Sequence, residues 1–140
     1  MSPRQIFIEQ FSDLAGVDSD EITEIVASID SIGGICSFFD GELISFSFSL
    51  DRDECPFLHF SIECGVPKVF FNPYQIKSFL LAHGQFPFEA DELFSEFSRC
   101  IGTSVDSLDQ DTDYFLSIDA LIDSADQVIF SISRFVCRIL

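Results

Sequence analysis

Three aspartates at alternate positions, Asp109, Asp111 and Asp113, have the spacing that comes closest to a metal-binding motif in this sequence. They match the opening of a calcium-binding EF-hand loop, whose first, third and fifth positions supply oxygen ligands. The sixth position, which needs a glycine, is Tyr114, and the twelfth, which needs a bidentate glutamate, is Ala120. The sequence therefore predicts a solvated acidic turn and no metal site.

The histidines and cysteines do not form a catalytic or zinc-binding pattern. His59 and His83 stand without a Ser, Cys or Asp at catalytic or ligand spacing, so we expect His59 to face the surface or a partner. The five cysteines are odd in number and form no C-x-x-C pair, which favours reduced thiols in a cytosol. We expect strand cysteines such as Cys64 to be small core side chains. Phosphate-loop, nucleophile-elbow and metalloprotease motifs are missing, so we expect no enzyme and no cofactor.

The composition predicts a single domain over residues 1–140 with abundant core material. Apolar residues make up 47% of the 140 residues, and 18 of them are Phe with no Trp. A surplus of large apolar side chains in a small domain is typical of an oligomer interface or a partner-binding groove.

The charge balance excludes several classes of partner. Lys and Arg total 7 against 24 Asp and Glu, a net charge of −17, so the chain lacks the basic footprint of a nucleic-acid binder. Anionic membrane surfaces are disfavoured for the same reason. The chain has neither the roughly 20 apolar residues of a membrane span nor the start of a signal peptide, so we expect a cytoplasmic protein. The acidity favours either solubility or recognition of a basic or aggregation-prone partner.

Helix signals occur near both ends of the chain and in its middle. Ser2, Pro3 and Gln5 form a capping box with proline at the first helical position, and Gly16 ends this helix. The other predicted helices run from Asp18 to Gly33-Gly34, from Asn72 to Gly84, after Pro87, and from Ser124 to the end.

Strand signals are clearest in the middle of the chain. Apolar residues alternate with Ser, His and Glu over residues 44–50 and 58–64, which is the pattern of strands with one wet face. Asp40-Gly41 predicts a hairpin turn to a strand at 35–39, and residues 51–56 read as a polar loop. The result is a three-stranded antiparallel meander that ends at Gly65. A second hairpin, with strands at 104–108 and 114–120, completes an α+β fold flanked by N-terminal, central and C-terminal helices.

Three stretches together resemble a known family. They are residues 35–65 (ICSFFDGELISFSFSLDRDECPFLHFSIECG), residues 102–116 (GTSVDSLDQDTDYFL) and the last helix from Ser124. With the low pI, their order resembles the class I chaperones of bacterial type III secretion, the Tir-chaperone-like family. Two segments depart from the family pattern. Residues 17–31 are longer than its usual link, and residues 73–99 hold two helices where the family has one helix across its dimer axis.

This resemblance implies a homodimeric chaperone that binds the N-terminal region of a secreted effector and keeps it soluble and competent for secretion. The effector segment would lie extended over apolar patches, partly by adding a strand to a sheet edge. The alternative is an acidic immunity protein or inhibitor that blocks a basic site on its partner. The two differ in salt dependence, because an inhibitor complex should weaken steeply with ionic strength and an apolar groove should not.

We expect partner binding to use apolar positions of the first helix and the meander. These positions are Phe7, Phe11, Phe46, Phe48, Leu58, Phe60 and Ile62. The competing interpretation is that they form the core, and the substitution Phe11→Asp separates the two. In a groove it should weaken partner binding at nearly unchanged stability, whereas in a core it should unfold the domain.

The first testable prediction is dimerisation through the helix that follows Asn72. The expected dimer residues are Ile76, Phe79 and Leu80, which share one face of that helix. Sedimentation equilibrium at micromolar concentration should therefore give about twice the chain mass of 15.7 kDa. A single species of 15.7 kDa would contradict the prediction.

Overall fold

The computed structural model describes residues 2–32, 35–39, 42–85, 88–101 and 110–139, which form helices on one side of an antiparallel sheet. In chain order the elements are α1 Pro3–Ala15, α2 Ser19–Ser31, β1 Ile35–Phe39, β2 Leu43–Leu50, β3 Asp53–Glu63, β4 Val66–Phe71, α3 Pro73–Ala82, α4 Phe88–Ile101, β5 Tyr114–Leu116, α5 Ile118–Asp123 and α6 Ala125–Ile139. The predicted α+β class, with N-terminal, central and C-terminal helices, is confirmed. Within the described part, no helix combines the length and the apolarity that crossing a membrane requires.

Side-chain caps start the first three helices where the sequence predicts them. Ser2 accepts a hydrogen bond from the backbone N–H of Gln5 at 3.2 Å, and Asp18 accepts one from the N–H of Asp20 at 3.0 Å. Asn72 caps α3 in the same way. These caps satisfy backbone donors that have no partner inside the helix, which is why the boundaries can be read locally.

The sheet has the strand order β1-β2-β3-β4-β5, and every neighbouring pair is antiparallel. The predicted three-stranded meander is present as β1, β2 and β3. The fourth strand was not predicted, because Gly65 was interpreted as the end of the meander. Cys64 and Gly65 instead form a two-residue turn with φ of 52° and 76°, and the chain returns as β4.

A second tight turn corrects the predicted loop at residues 51–56. Asp51 and Arg52, with φ of 51° and 73°, form the whole connection, since Leu50 already pairs with Asp53. Pro56 is tolerated in β3 because the β2–β3 register shifts beside its partner Ser47, and bulges accept proline.

The predicted second hairpin is corrected in its second half. Only Tyr114–Leu116 is a strand, and it pairs with β4. Ser117 then caps α5 by accepting a hydrogen bond from the N–H of Ala120. The alternating pattern over residues 114–120 therefore covers two elements, the short strand β5 and the start of α5. Residues 104–108, the predicted first strand of this hairpin, lie outside the described residues.

The inner face of the sheet, which we define as the side carrying Phe46, Phe48, Phe60 and Phe71, packs against the helices. Phe11 of α1 meets Phe60 edge to face, with ring centroids 5.7 Å apart. Phenylalanines of α3 and α6 contact Phe48, and those of α4 contact Phe71. Because four helices contribute to this layer, it forms the core of the chain.

The second testable prediction concerns Phe11, which is fully buried. Phe11→Asp should remove several kcal/mol of stability, because it deletes a core ring and buries a carboxylate. The matched control is Leu14→Asp on the same helix, where the side chain is 48% exposed and the loss should be about 1 kcal/mol or less. Urea unfolding followed by circular dichroism measures both, and wild-type stability of Phe11→Asp would contradict the assignment.

Candidate functional site

The structure places the predicted partner-binding residues inside the chain. Six of the seven are at most 2% exposed, and they are Phe7, Phe11, Phe46, Phe48, Leu58 and Phe60. Ile62 is half-buried against the same core. In this fold the helices of the chain itself cover the apolar face that the sequence analysis assigned to a partner.

The predicted dimer residues are also directed inward. Ile76 and Leu80 of α3 are fully buried, and Phe79 is half-buried with its ring 5.6 Å from that of Phe48. The outward positions of α3 include Tyr74 and Leu81, which are 37% and 53% exposed. A dimer interface on α3 would therefore use its outward side, and dimerisation itself stays a prediction.

The opposite side of the sheet, the outer face, carries a row of side chains in register across all five strands. Its members are Ser37, Ser45, His59, Phe70 and Phe115, each paired with the next across the sheet. This cross-strand row contains no carboxylate in a chain with 24 acidic residues. Among the described residues, every ring contact between a helix and the sheet lies on the inner face and none on this row.

Aromatic stacking holds one half of the row together. The imidazole of His59 stacks on Phe70 with centroids 4.8 Å apart and planes 20° apart. Phe70 in turn lies 5.7 Å from Phe115, and the Lys68 ammonium sits 5.4 Å from the Phe115 centroid. Phe115 is 52% exposed, so the stack ends in an accessible aromatic surface on β5.

The outer face also carries buried serines, of which Ser45 belongs to the row and Ser47 and Ser61 lie next to it. Ser45, Ser47 and Ser61 are only 3–4% exposed, although their alternation with apolar residues predicted a wet face. The Ser61 hydroxyl is buried without a hydrogen-bond partner in the described part of the chain.

His59 joins the two halves. Its Nδ1 lies 2.7 Å from Ser45 Oγ, a hydrogen bond whose donor depends on the imidazole tautomer. Burial lowers the pKa of His59 below its usual value, and the Asp113 carboxylate acts in the opposite direction. The imidazole is therefore neutral at neutral pH, and the row carries no charge there.

Ser45 and His59 are residue types that can act as a nucleophile and its base. The Ser45 hydroxyl, however, is not accessible to a substrate. Ser45 is 4% exposed and lies in the middle of β2 between two paired strands. A nucleophile must reach a substrate and have its base aligned toward the reacting atom. The pair therefore joins β2 to β3 and is closed to a substrate.

The acidic turn has a structural role that the sequence did not reveal. The side-chain amide of Asn72 donates to Asp111 at 2.6 Å and to Asp113 at 3.2 Å, and Gln75 also donates to Asp111 at 3.3 Å. These bonds attach the start of β5 to the start of α3. No group of three side chains able to hold a metal occurs among the described residues, which do not include Asp109.

His83 has a second structural role, at the other end of α3. Its Nδ1 and Nε2 lie 3.1 Å and 3.2 Å from carboxylate oxygens of Asp51 and Asp53. The ring thereby links the end of α3 to the β2–β3 turn. The predicted helix from Asn72 to Gly84 places His83 near its end, but the sequence carries no signal for these partners, which are far away in the chain.

Four cysteines are free thiols that differ in burial: Cys36, Cys55, Cys64 and Cys137. Cys55 is buried on β3, and burial raises its pKa to about 12, so it remains protonated and unreactive. Burial also raises the pKa of Cys36. Cys64 is exposed at the β3–β4 turn, which corrects its expected place in the core.

Comparison with known proteins yields no relative. No family model, no curated protein and no solved structure matches this chain significantly. The geometry of the outer face, including its exposed Phe115, is therefore the starting point for a functional proposal.

The third testable prediction is a pH dependence of stability that arises from His59. Its pKa is lowered in the folded state, so between that value and about 6.5 the unfolded chain binds more protons and stability rises with pH. The contribution is complete above about pH 6.5 and is lost as the pH falls below it.

Urea unfolding between pH 5 and 7.5 tests this prediction by comparing proteins with His59 and with His59→Gln. Both carry His83→Gln, so that His59 is the only imidazole present in either protein. The unfolding free energy of the protein with His59, minus that of the protein with His59→Gln, should increase as the pH rises from 5 to about 6.5. A difference that stays constant with pH would contradict it.

Proposed function

We propose that this chain is a non-catalytic chaperone of the type III secretion class that holds the N-terminal region of a secreted effector in the bacterial cytoplasm. The observation that carries the proposal is the cross-strand row of the outer face, which contains no carboxylate and ends in the exposed ring of Phe115 beside Phe70. An extended apolar segment of another protein is the ligand whose chemistry fits such a face.

The distribution of exposed apolar side chains supports binding at this face. Three large hydrophobic residues of the outer face are exposed: Ile35 on β1, Val66 on β4 and Phe115 on β5. They flank the closed serine region at both sides of the sheet. Apolar contacts at separated points suit a ligand that runs across several strands and does not enter a single pocket.

The edge of the sheet supports the same mode of binding. In the described part of the chain, β1 pairs only with β2, so its other side keeps free backbone donors and acceptors. The strand contains neither a charged residue nor proline, which are the usual devices that block edge pairing. An extended partner segment could pair there, with side chains taken up by the adjacent face.

The high negative charge supports the chaperone role in a different way. Charge is missing from the cross-strand row, while the chain as a whole carries −17. Like-charge repulsion between complexes keeps them dispersed while an apolar segment is bound. A homodimer is part of the proposal, because it would double the number of apolar contact points available to one effector segment.

The fourth testable prediction concerns Phe115. Affinity purification of the tagged chain from its own cells, followed by mass spectrometry, should identify an effector and its N-terminal segment. The purified segment should bind Phe115→Ser at least tenfold more weakly than the wild type, because the exposed end of the stack is lost. Isothermal titration calorimetry at 0.1 M and 0.5 M NaCl should show little salt dependence.

Phe130→Ser is the matched control, since Phe130 is a 63% exposed phenylalanine on α6, in the helical layer. It should bind the segment with wild-type affinity, and circular dichroism should show both variants folded at the temperature of the titration. Equal affinity of Phe115→Ser and wild type would contradict the proposal. So would a steep loss of affinity with salt, which would indicate an electrostatic inhibitor.

A further inference from the structure

A second surface, on the helical side of the chain, has different chemistry from the outer face. A groove of about 240 Å³ lies between α2 and the corner where α5 meets α6. This volume is below the roughly 300–1,000 Å³ of typical small-molecule sites, so it has room for one or two inserted side chains. We call it the acidic groove, because carboxylates form its rim.

The rim of the acidic groove has four exposed carboxylates. Glu21 and Glu24 lie one turn apart on α2, Asp123 is the last residue of α5, and Asp126 is in the first turn of α6. Among the described residues none of the four forms a salt bridge, and no Lys or Arg lines the groove.

Helix stability accounts for only two of these carboxylates. Glu21 and Asp126 lie in first turns, where a negative charge interacts favourably with the helix dipole. Glu24 lies beyond the first turn, and Asp123 lies at a helix C-terminus, where the dipole disfavours a carboxylate. Stabilisation of a helix end therefore does not explain why Glu24 and Asp123 lie at the same groove.

The floor of the acidic groove is apolar. Ile25 is 4% exposed, and Ile122 and Ile129 are half-buried, so their side chains close the bottom between the two sides. A metal ion or a small polycation would use the carboxylates but not this floor. The ligand that fits has cationic groups spaced around an apolar side chain.

We propose that the acidic groove binds a basic amphipathic segment of a partner protein, with Lys or Arg side chains on the carboxylates and one apolar side chain on the isoleucine floor. Charge complementarity selects this occupant. A second copy of the chain is disfavoured by the same argument, because it carries 24 acidic and 7 basic residues. The site does not depend on the proposed function of the outer face.

The test uses a fluorescein-labelled peptide of repeating Lys and Leu, titrated with the full chain and followed by fluorescence anisotropy at 50 mM NaCl. Binding should be saturable. The double variant Glu24→Gln/Asp123→Asn should weaken it about tenfold. The matched control, Glu9→Gln/Asp13→Asn, removes the same charge from exposed positions of α1 and should change affinity less than twofold.

Two comparisons would overturn the proposal. If both double variants weaken binding equally, only the net charge of the chain attracts the peptide. If a peptide with Ser in place of every Leu binds as tightly, the isoleucine floor takes no part. Absence of saturable binding would also refute it. Circular dichroism of the variants checks that these isosteric changes leave the fold intact.

Discussion

The packing of phenylalanine rings between the sheet and the helices is the interaction on which the rest of the structure depends. Phe48 contacts Phe57 within β3, Phe79 of α3 and Phe135 of α6, so one ring connects elements far apart in sequence. Aromatic side chains bury roughly 150–250 Å² each, which makes such contacts large contributions to a small core. The layer therefore holds several elements in place at once.

This layer also determines which surfaces remain for binding. Because the helices cover the inner face, a partner can reach the outer face, the β1 edge and the helical surface. These surfaces differ in charge. The cross-strand row has no carboxylate, whereas the acidic groove has four, so the two proposed binding surfaces differ in chemistry. Two ligands of different chemistry could be held without competition.

Polar contacts between distant residues complete the arrangement around α3. Asn72 and Gln75 bind the acidic turn at the start of the helix, and His83 binds the β2–β3 turn at its end. α3 is thereby joined to the sheet at both ends. β5 pairs with β4 just after the residues that Asn72 binds, and the register of this pair places Phe115 beside Phe70 on the outer face.

Local signals in the sequence determined the helices and most strands of this protein. The caps at Ser2, Asp18 and Asn72 involve residues no more than three positions apart. The alternation of serine and apolar residues in β2 reflects the two sides of a strand. Helix starts and this strand can therefore be predicted from neighbouring residues alone. The tight turn at Cys64-Gly65 and the short helix after Ser117 were missed, because their signals are brief and compete with stronger neighbours.

Tertiary structure alone decided what each apolar face contacts. Alternation shows that Phe46 and Phe60 share a face, but whether that face meets a partner or the chain's own helices depends on where α1, α3, α4 and α6 pack. The row from Ser37 to Phe115 depends on strand order and register, and the acidic groove on α2 meeting the α5–α6 corner. These juxtapositions join residues up to about a hundred positions apart, and no local pattern encodes them.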